Sequence, residues 1–284
     1  GVPFHPKGLG VGYLIRAEGK TVYHAGDTDF IPEMKQLQGI DLLLIPSGGT
    51  YTMDNADAAE ATIAMHPKVV IPMHIWDTNP GEFKKKVFFT NSGAQSVEAA
   101  MKIAKWNTKR GMFFGFLGAF HGRTLGALSI TASKRVQRER FFPMVPGIVH
   151  VPYAYCYRCP YKLTYPGCDL HCANIIEDLY LKTIAPPEDL AGIFVEPVQG
   201  EGGYIVPPPG WLDRIGKIAK DNDFLFIDDE VQAGFGRTGK MWALEHENLK
   251  PDILCLGKGI GSGAPIAAVI STTEIFSALS TGEM

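Results

Sequence analysis

An α/β fold, laid out in two successive stretches, is what this chain predicts. Three observations carry the prediction. Residues 87–284 hold continuous apolar runs of strand length, GMFFGF, GIVHVP, AGIFVEP, FLFIDD and DILCLG, with helical segments between several of them. That pattern belongs to a parallel sheet covered on both faces. Residues 1–86 show their own alternation of strand, loop and helix. Finally, several strands end on carboxylates, glycines or a lysine, at the edge where open α/β sheets place their ligands.

The elements follow in order. GYLIRA and KTVYHAG read as a hairpin closed by EGK. DLLLIPSGG is an apolar strand ended by glycines, NADAAEATIAM a helix, and KVVIPMH a buried strand that finishes on His74. From Val87, VFFT is a strand and SGAQSVEAAMKIAKW a helix with Ser92 as N-cap. NIIEDLYLKTIA, PGWLDRIGKIAKDN and TTEIFSAL are further helices. The two stretches meet at GEFKKKVFFTNSG without a Pro/Gly/polar linker, so the boundary is placed between residues 86 and 87. There is no internal repeat and no low-complexity segment.

Composition narrows the function. The 284 residues are 45% hydrophobic and 20% charged with a net charge of −3, which gives no electrostatic case for nucleic acid or an anionic membrane. No apolar run approaches the roughly 18 residues of a membrane span. With no charged-then-apolar leader, the expectation is a cytoplasmic protein. The chain opens without an initiator Met, which reads as a fragment.

FLFIDDEVQ poses the chemical question, because an apolar strand runs into Asp228, Asp229 and Glu230. Desolvating an unpaired carboxylate costs several kcal/mol, so a cation is expected beside one of them. Lys258 follows another apolar strand, among Leu256, Gly257, Gly259 and Ile260, where poor solvation favours a nucleophilic amine; alone, it would be read as a lysine snorkelling to the surface. Gly93 and Ala94 open a helix whose N–H groups could hold a phosphate. Phe120 stands beside the His121–Gly122 pair as a candidate aromatic wall. A phosphate cradle, an aromatic face, a strand-end Asp and a strand-end Lys together describe pyridoxal phosphate.

SGAQSVEAAMKIAK, FHGRT, EPVQGEGG, DEVQAGFGRTG and GKGIGSGAP resemble, in order and spacing, the class III aminotransferases of pyridoxal-phosphate fold type I, the group of the 4-aminobutyrate, ornithine and acetylornithine enzymes. The resemblance spans about residues 87–284. It implies a mainly parallel large-domain sheet with flanking helices, truncated here, and transamination between an amino acid or ω-amine and a 2-oxo acid in a homodimer. By the same resemblance Lys258 carries the cofactor and moves the proton, while Asp229 pairs with the pyridinium nitrogen. Val231 and Phe120 cover its two faces, Gln232 reaches its phenolic oxygen, and Ser92, Gly93, Ala94, His121 and Glu196 belong to the same pocket. Glu201 is implied as a gate for a substrate-binding arginine. Asp228 and Glu230 are left as local structure. A racemase on the same scaffold is the close alternative.

YHAGDTDF and VIPMHIWD resemble metallo-β-lactamase-fold hydrolases, implying a partial αββα segment over about 1–86 with Asp27 and His74 as vestigial metal ligands. The family's His-rich cluster is missing from this stretch, so no catalytic metal is expected. His5, His24 and His66 read as surface or core residues. Joined without a linker, the two pieces suggest a fused or misassembled frame, possible even as a non-catalytic remnant, and the chain as given is expected to be a poor enzyme. CYRCPYKLTYPGCDLHC contributes Cys156, Cys159, Cys168 and Cys172, whose spacing suits a structural zinc, a disulfide pair or simply a Tyr/Pro-rich loop with buried thiols. Cys255, in an apolar strand, is expected in the core.

Overall fold

The computed structural model describes residues 12–17, 19–47, 52–53, 55–67, 69–73, 87–261 and 263–278. His5, His74 and the GEFKKK part of the seam lie outside the described residues. The chain divides into two compact units, Gly1–Lys84 and Lys85–Met284.

In the first unit, β1 (Tyr13–Ala17) and β2 (Lys20–His24) form the expected hairpin, paired antiparallel from Tyr13↔His24 to Ala17↔Lys20. Gly19, at φ +73, makes the reversal, in a region where a side chain would be strained. β3 (Leu42–Pro46) pairs parallel with β2, and β4 (Val69–Met73) parallel with β3, with α1 (Asn55–Met65) between them in sequence. Leu43 and Ile45, two apart on β3, point to one face and are fully buried with Met34, Met53, Ala61 and Met65.

The second unit opens with β5 (Val87–Thr90) and α2 (Gly93–Thr108), which Ser92 caps by accepting a hydrogen bond from the Gln95 N–H. β6 (Met112–Phe116), α3 (Leu125–Ile130) and β7 (Ile148–Val151) follow. The NIIEDLYLKTIA region is helical in three pieces: α4 (His171–Ile175), a π-turn at Ile176–Tyr180, and α5 (Leu181–Thr183). Then come β8 (Leu190–Val195), α6 (Trp211–Asp221), β9 (Leu225–Asp229), β10 (Ile253–Leu256), β11 (Ala267–Ser271) and α7 (Thr273–Ser277).

The sheet order is β5-β11-β10-β9-β8-β6-β7. Pairing is parallel from β7 through β6, β8 and β9 to β10, whereas β11 pairs antiparallel with both β10 and β5. The sheet is mainly parallel, as expected, and the sequence reading did not single out β11, whose AAVIS follows a glycine-rich loop and carries little periodic signal. Because β11 reverses direction twice over, β5 points the same way as the parallel strands, and the N-terminus of α2 therefore opens at their C-terminal edge. Apolar cores cover both faces: Val97, Ile103 and Phe194 on the α2 side, and Trp211, Phe116 and Val195 on the α6 side. Cys255 is fully buried, as expected. Among the described residues, no helix is long and apolar enough to cross a membrane.

Candidate active site

The C-terminal strand edge gathers a cavity of about 300 Å³, at the lower end of the roughly 300–1,000 Å³ common to small-molecule sites. β9 delivers Asp229 to it, and the turn after β10 delivers Lys258. The loop after β6 brings Phe120, His121 and Arg123, while Glu196 follows β8 directly. Gly93 and Ala94 arrive on the first turn of α2, where backbone N–H groups have no intrahelical partner. The helix start is clamped to the rest of the site by small residues. A Cβ on Gly93 would lie 2.6 Å from Val231 Cγ1, and one on Gly122, at φ +135, would lie 2.7 Å from Ala94 Cβ.

The partner beside Asp229 is His121. Its Nδ1–H donates to Asp229 Oδ2 at 2.6 Å, and both side chains are buried. Asp229 Oδ1 accepts the Val231 N–H at 3.0 Å. Burial by itself lowers the His121 pKa, but the hydrogen bond and negative charge of Asp229, with Glu196 behind them, outweigh it and raise the value above the ordinary 6.5. His121 Nε2 is buried without a hydrogen-bond partner. Sequence reading placed His121 in the pocket without this role. The pairing joins two residues far apart in sequence, and no local spacing announces it.

Glu196 is pushed up to about 7, first by burial and then by the Asp229 charge; His121 and the N–H groups of Phe120 (2.7 Å) and Gly200 (3.0 Å) oppose the rise. Lys258 departs from the expectation of a poorly solvated amine. It is exposed, and its Nζ donates to Gln232 Oε1 at 2.6 Å. Glycines at 257 and 259 leave little side-chain cover around it, which explains the difference. Its backbone sits at φ +40, a left-handed conformation that costs a lysine of order 1–3 kcal/mol and recurs at functional sites.

Other expected residues fall elsewhere. Ser92 caps α2 and does not line the cavity. Glu201 also stays outside it. Its Oε2 meets Lys134 Nζ at 2.6 Å, and that hydrogen bond with its charge, joined by Lys258 and Arg123, holds the carboxyl below its ordinary range. Arg123 was missed. It lines the cavity with its guanidinium 5.9 Å from the Phe120 ring centre, although FHGRT contained the signal. In the first unit, Asp27 is exposed in the loop after β2, and His74 lies outside the described residues. Among the described residues, no group of three His, Cys, Asp or Glu side chains is arranged to hold a metal. All five cysteines are free.

Strand alternation separates the three carboxylates, because Asp228 and Glu230 point away from the face that Asp229 serves. Neither lines the cavity, and both are buried. Asp228 is fully buried with neither oxygen hydrogen-bonded, and Glu230 Oε2 is likewise unpartnered, while its Oε1 accepts the Leu244 N–H. Burial, then the neighbouring Glu230 and Asp229 charges, push Asp228 well above the ordinary carboxylate range. A carboxyl raised on folding stabilises least at high pH, because the unfolded chain releases the proton first. Asp228→Asn is therefore expected to stabilise the fold, with an advantage that widens from pH 5 to pH 8. Urea midpoints that converge as pH rises would contradict this.

The fold and the site define a class: an open α/β sheet that collects a lysine, an aspartate and a helix N-terminus at one edge. The chain belongs to the class-III aminotransferases, whose family model matches residues 53–284. A model of the beta-lactamase superfamily domain matches residues 2–74, so the two matches overlap ahead of the seam expected at Val87. Among solved structures, the chain is similar to a thermostable (S)-enantioselective omega-transaminase from Thermomicrobium roseum. That match has 34% identity over 72% of this chain and 46% of the other, at a TM-score of 0.65. An amine transaminase from an uncultivated Pseudomonas species, in its PLP-bound form, matches at 30% identity, 69% and 46% coverage, and TM-score 0.64. The omega transaminase of Pseudomonas jessenii in complex with PMP matches at 31%, 68% and 44%, and TM-score 0.63. The chain spans less than half the length of each of these relatives.

Proposed function

We propose that this chain carries the cofactor half of a pyridoxal-phosphate-dependent aminotransferase, which exchanges an amino group between an amino acid or ω-amine and a 2-oxo acid. The observation that supports this best is the buried His121–Asp229 pair facing a cavity that also holds Lys258. The residues fit the cofactor. A carboxylate has about four lone-pair sites, and Asp229 uses one on each oxygen, which leaves capacity for a ring N–H. The first N–H groups of α2 suit a phosphate, since the helix end is positive and those donors are unpaired within the helix. Phe120 and Val231 supply walls, and Gln232 orients the lysine amine.

When bound, pyridoxal phosphate supplies an electron sink for the bond broken at the substrate carbon. The chain's own residues do the rest. Asp229, aimed by its hydrogen bond with His121, would hold a proton on the ring nitrogen. Lys258 offers the amine that attaches the cofactor and carries a proton. Arg123, at the cavity wall, suits a substrate carboxylate. Residues 87–284 would be part of a large domain and 1–86 part of a metallo-β-lactamase-like segment, with the complete protein a homodimer. Incubation of the loaded chain with an amine donor is expected to yield pyridoxamine phosphate, detected by mass, and a 2-oxo acid should return it to the starting form. Conversion of the donor to its mirror image with no pyridoxamine phosphate formed would show that the racemase reading holds instead.

A further inference from the structure

Glu196 holds two separate segments of the chain at once. It stands directly after β8 with 4% of its surface exposed. Oε1 accepts the Phe120 N–H at 2.7 Å, and Oε2 accepts the Gly200 N–H at 3.0 Å. Each donor leads to a different side of the cavity. Phe120 supplies one wall, and the next residue, His121, holds Asp229. Gly200 lays its backbone against Gln232, since a Cβ there would lie 2.5 Å from Gln232 Nε2. Gln232 in turn accepts the Lys258 Nζ.

We propose that Glu196 is a positioning residue whose ionised carboxylate fastens the loop after β6 to the turn after β8, keeping the Phe120 side and the Lys258 side of the cavity in one arrangement. A carboxylate accepts on both oxygens, whereas a carboxylic acid makes one of them a donor and weakens its hold on the facing N–H. Protonation of Glu196 therefore loosens one side of the clasp. The change stays local, because Gln199 Nε2 also ties the two segments, donating to the Leu117 carbonyl at 2.9 Å, and an amide does not titrate.

The groups that face Glu196 set the range in which this happens. Burial first, with Asp229 on β9, lifts the carboxyl to about 7, while His121 and the two N–H donors oppose the rise. Tyr153, beyond β7, donates to the Glu196 backbone carbonyl at 3.0 Å, and burial holds its own hydroxyl well above its ordinary value. The clasp is complete on the alkaline side of about pH 7 and loosens on the acid side.

Backbone amide nuclear magnetic resonance of the full chain without cofactor provides the test. The Phe120 and Gly200 N–H signals are expected to titrate together, with one midpoint within about a unit of 7. In Glu196→Gln, whose side chain accepts on one atom only, both signals should stay fixed with pH. Pyridoxal phosphate affinity gives a second readout, and this one rests on the proposed function. Dividing the dissociation constant of Glu196→Gln by that of the unaltered chain removes the cofactor's own ionisations. The quotient should be roughly 10 well above pH 7, the worth of one charge-assisted hydrogen bond, and should fall toward one in acid. Amide signals that do not titrate in the unaltered chain would overturn the proposal, as would a quotient indifferent to pH. Titration that persists in a folded Glu196→Gln would overturn it too, and assign the effect to His121. Should that variant not fold, the unaltered chain still decides, because separate midpoints for Phe120 and Gly200 would rule out a shared clasp. A chain whose amides titrate as expected but which takes up no pyridoxal phosphate would refute the cofactor reading and leave the clasp supported.

Discussion

Lys258→Ala is expected to abolish borohydride-fixed attachment of pyridoxal phosphate and to reduce retention of the cofactor through gel filtration by roughly 100-fold. The argument is local. Lys258 is the amine on the wall of the cavity that also contains Asp229, and Gln232 already holds its Nζ in place. Without that amine the cofactor keeps only the helix end, the aspartate and the two apolar walls. A 100-fold loss corresponds to about 2.7 kcal/mol, modest for the removal of a covalent anchor. The other amine of the neighbourhood, Lys134, is tied to Glu201 and lies outside the cavity. Peptide mapping after borohydride treatment of the unaltered chain should place the label on Lys258. A label on Lys134, or anywhere else with Lys258 unmodified, would remove the assignment.

Asp229→Ala should be the most destabilising single change at the site. It leaves His121 buried, with Nδ1 as well as Nε2 unpartnered. Removing one member of a buried ion pair typically costs about 3–5 kcal/mol, which for a domain of this size lowers Tm by on the order of 10 °C. The pH dependence identifies the cause. His121 is raised on folding, so the stability it contributes is fully present below its unfolded value near 6.5 and is lost as pH rises through its folded value. The gap between the unaltered chain and Asp229→Ala should thus be widest below about pH 6.5 and shrink in alkali. A gap independent of pH would mean that packing around Asp229, and not its pairing with His121, carries the stability. His121→Ala combined with Asp229→Ala should cost less than the sum of the single changes, because the two share one interaction.

The sequence by itself determined the repertoire of this protein. Continuous apolar runs, helix periodicity and strand-end polar residues were enough to place most of the strands and helices, from the Tyr13–His24 hairpin to the Ser92 cap of α2. They also nominated Lys258, Asp229, Gly93, Ala94 and Phe120, while Val231, Gln232 and Glu196 were implied by the family resemblance; all eight line one cavity. These signals survive in sequence because period, capping and turn chemistry act over a few residues. What tertiary structure alone decided involves partners distant along the chain. It matched His121 to Asp229, gave Glu201 to Lys134, exposed Lys258 and inserted β11 antiparallel between β10 and β5. It also turned Asp228 and Glu230 away from the face that Asp229 serves, where burial pushes the Asp228 carboxyl well above its ordinary range. Burial and long-range pairing set which carboxylate is charged and which amine is accessible, and neither is encoded in local spacing. Only the folded sheet, with its strand ends brought to one edge, fixes them.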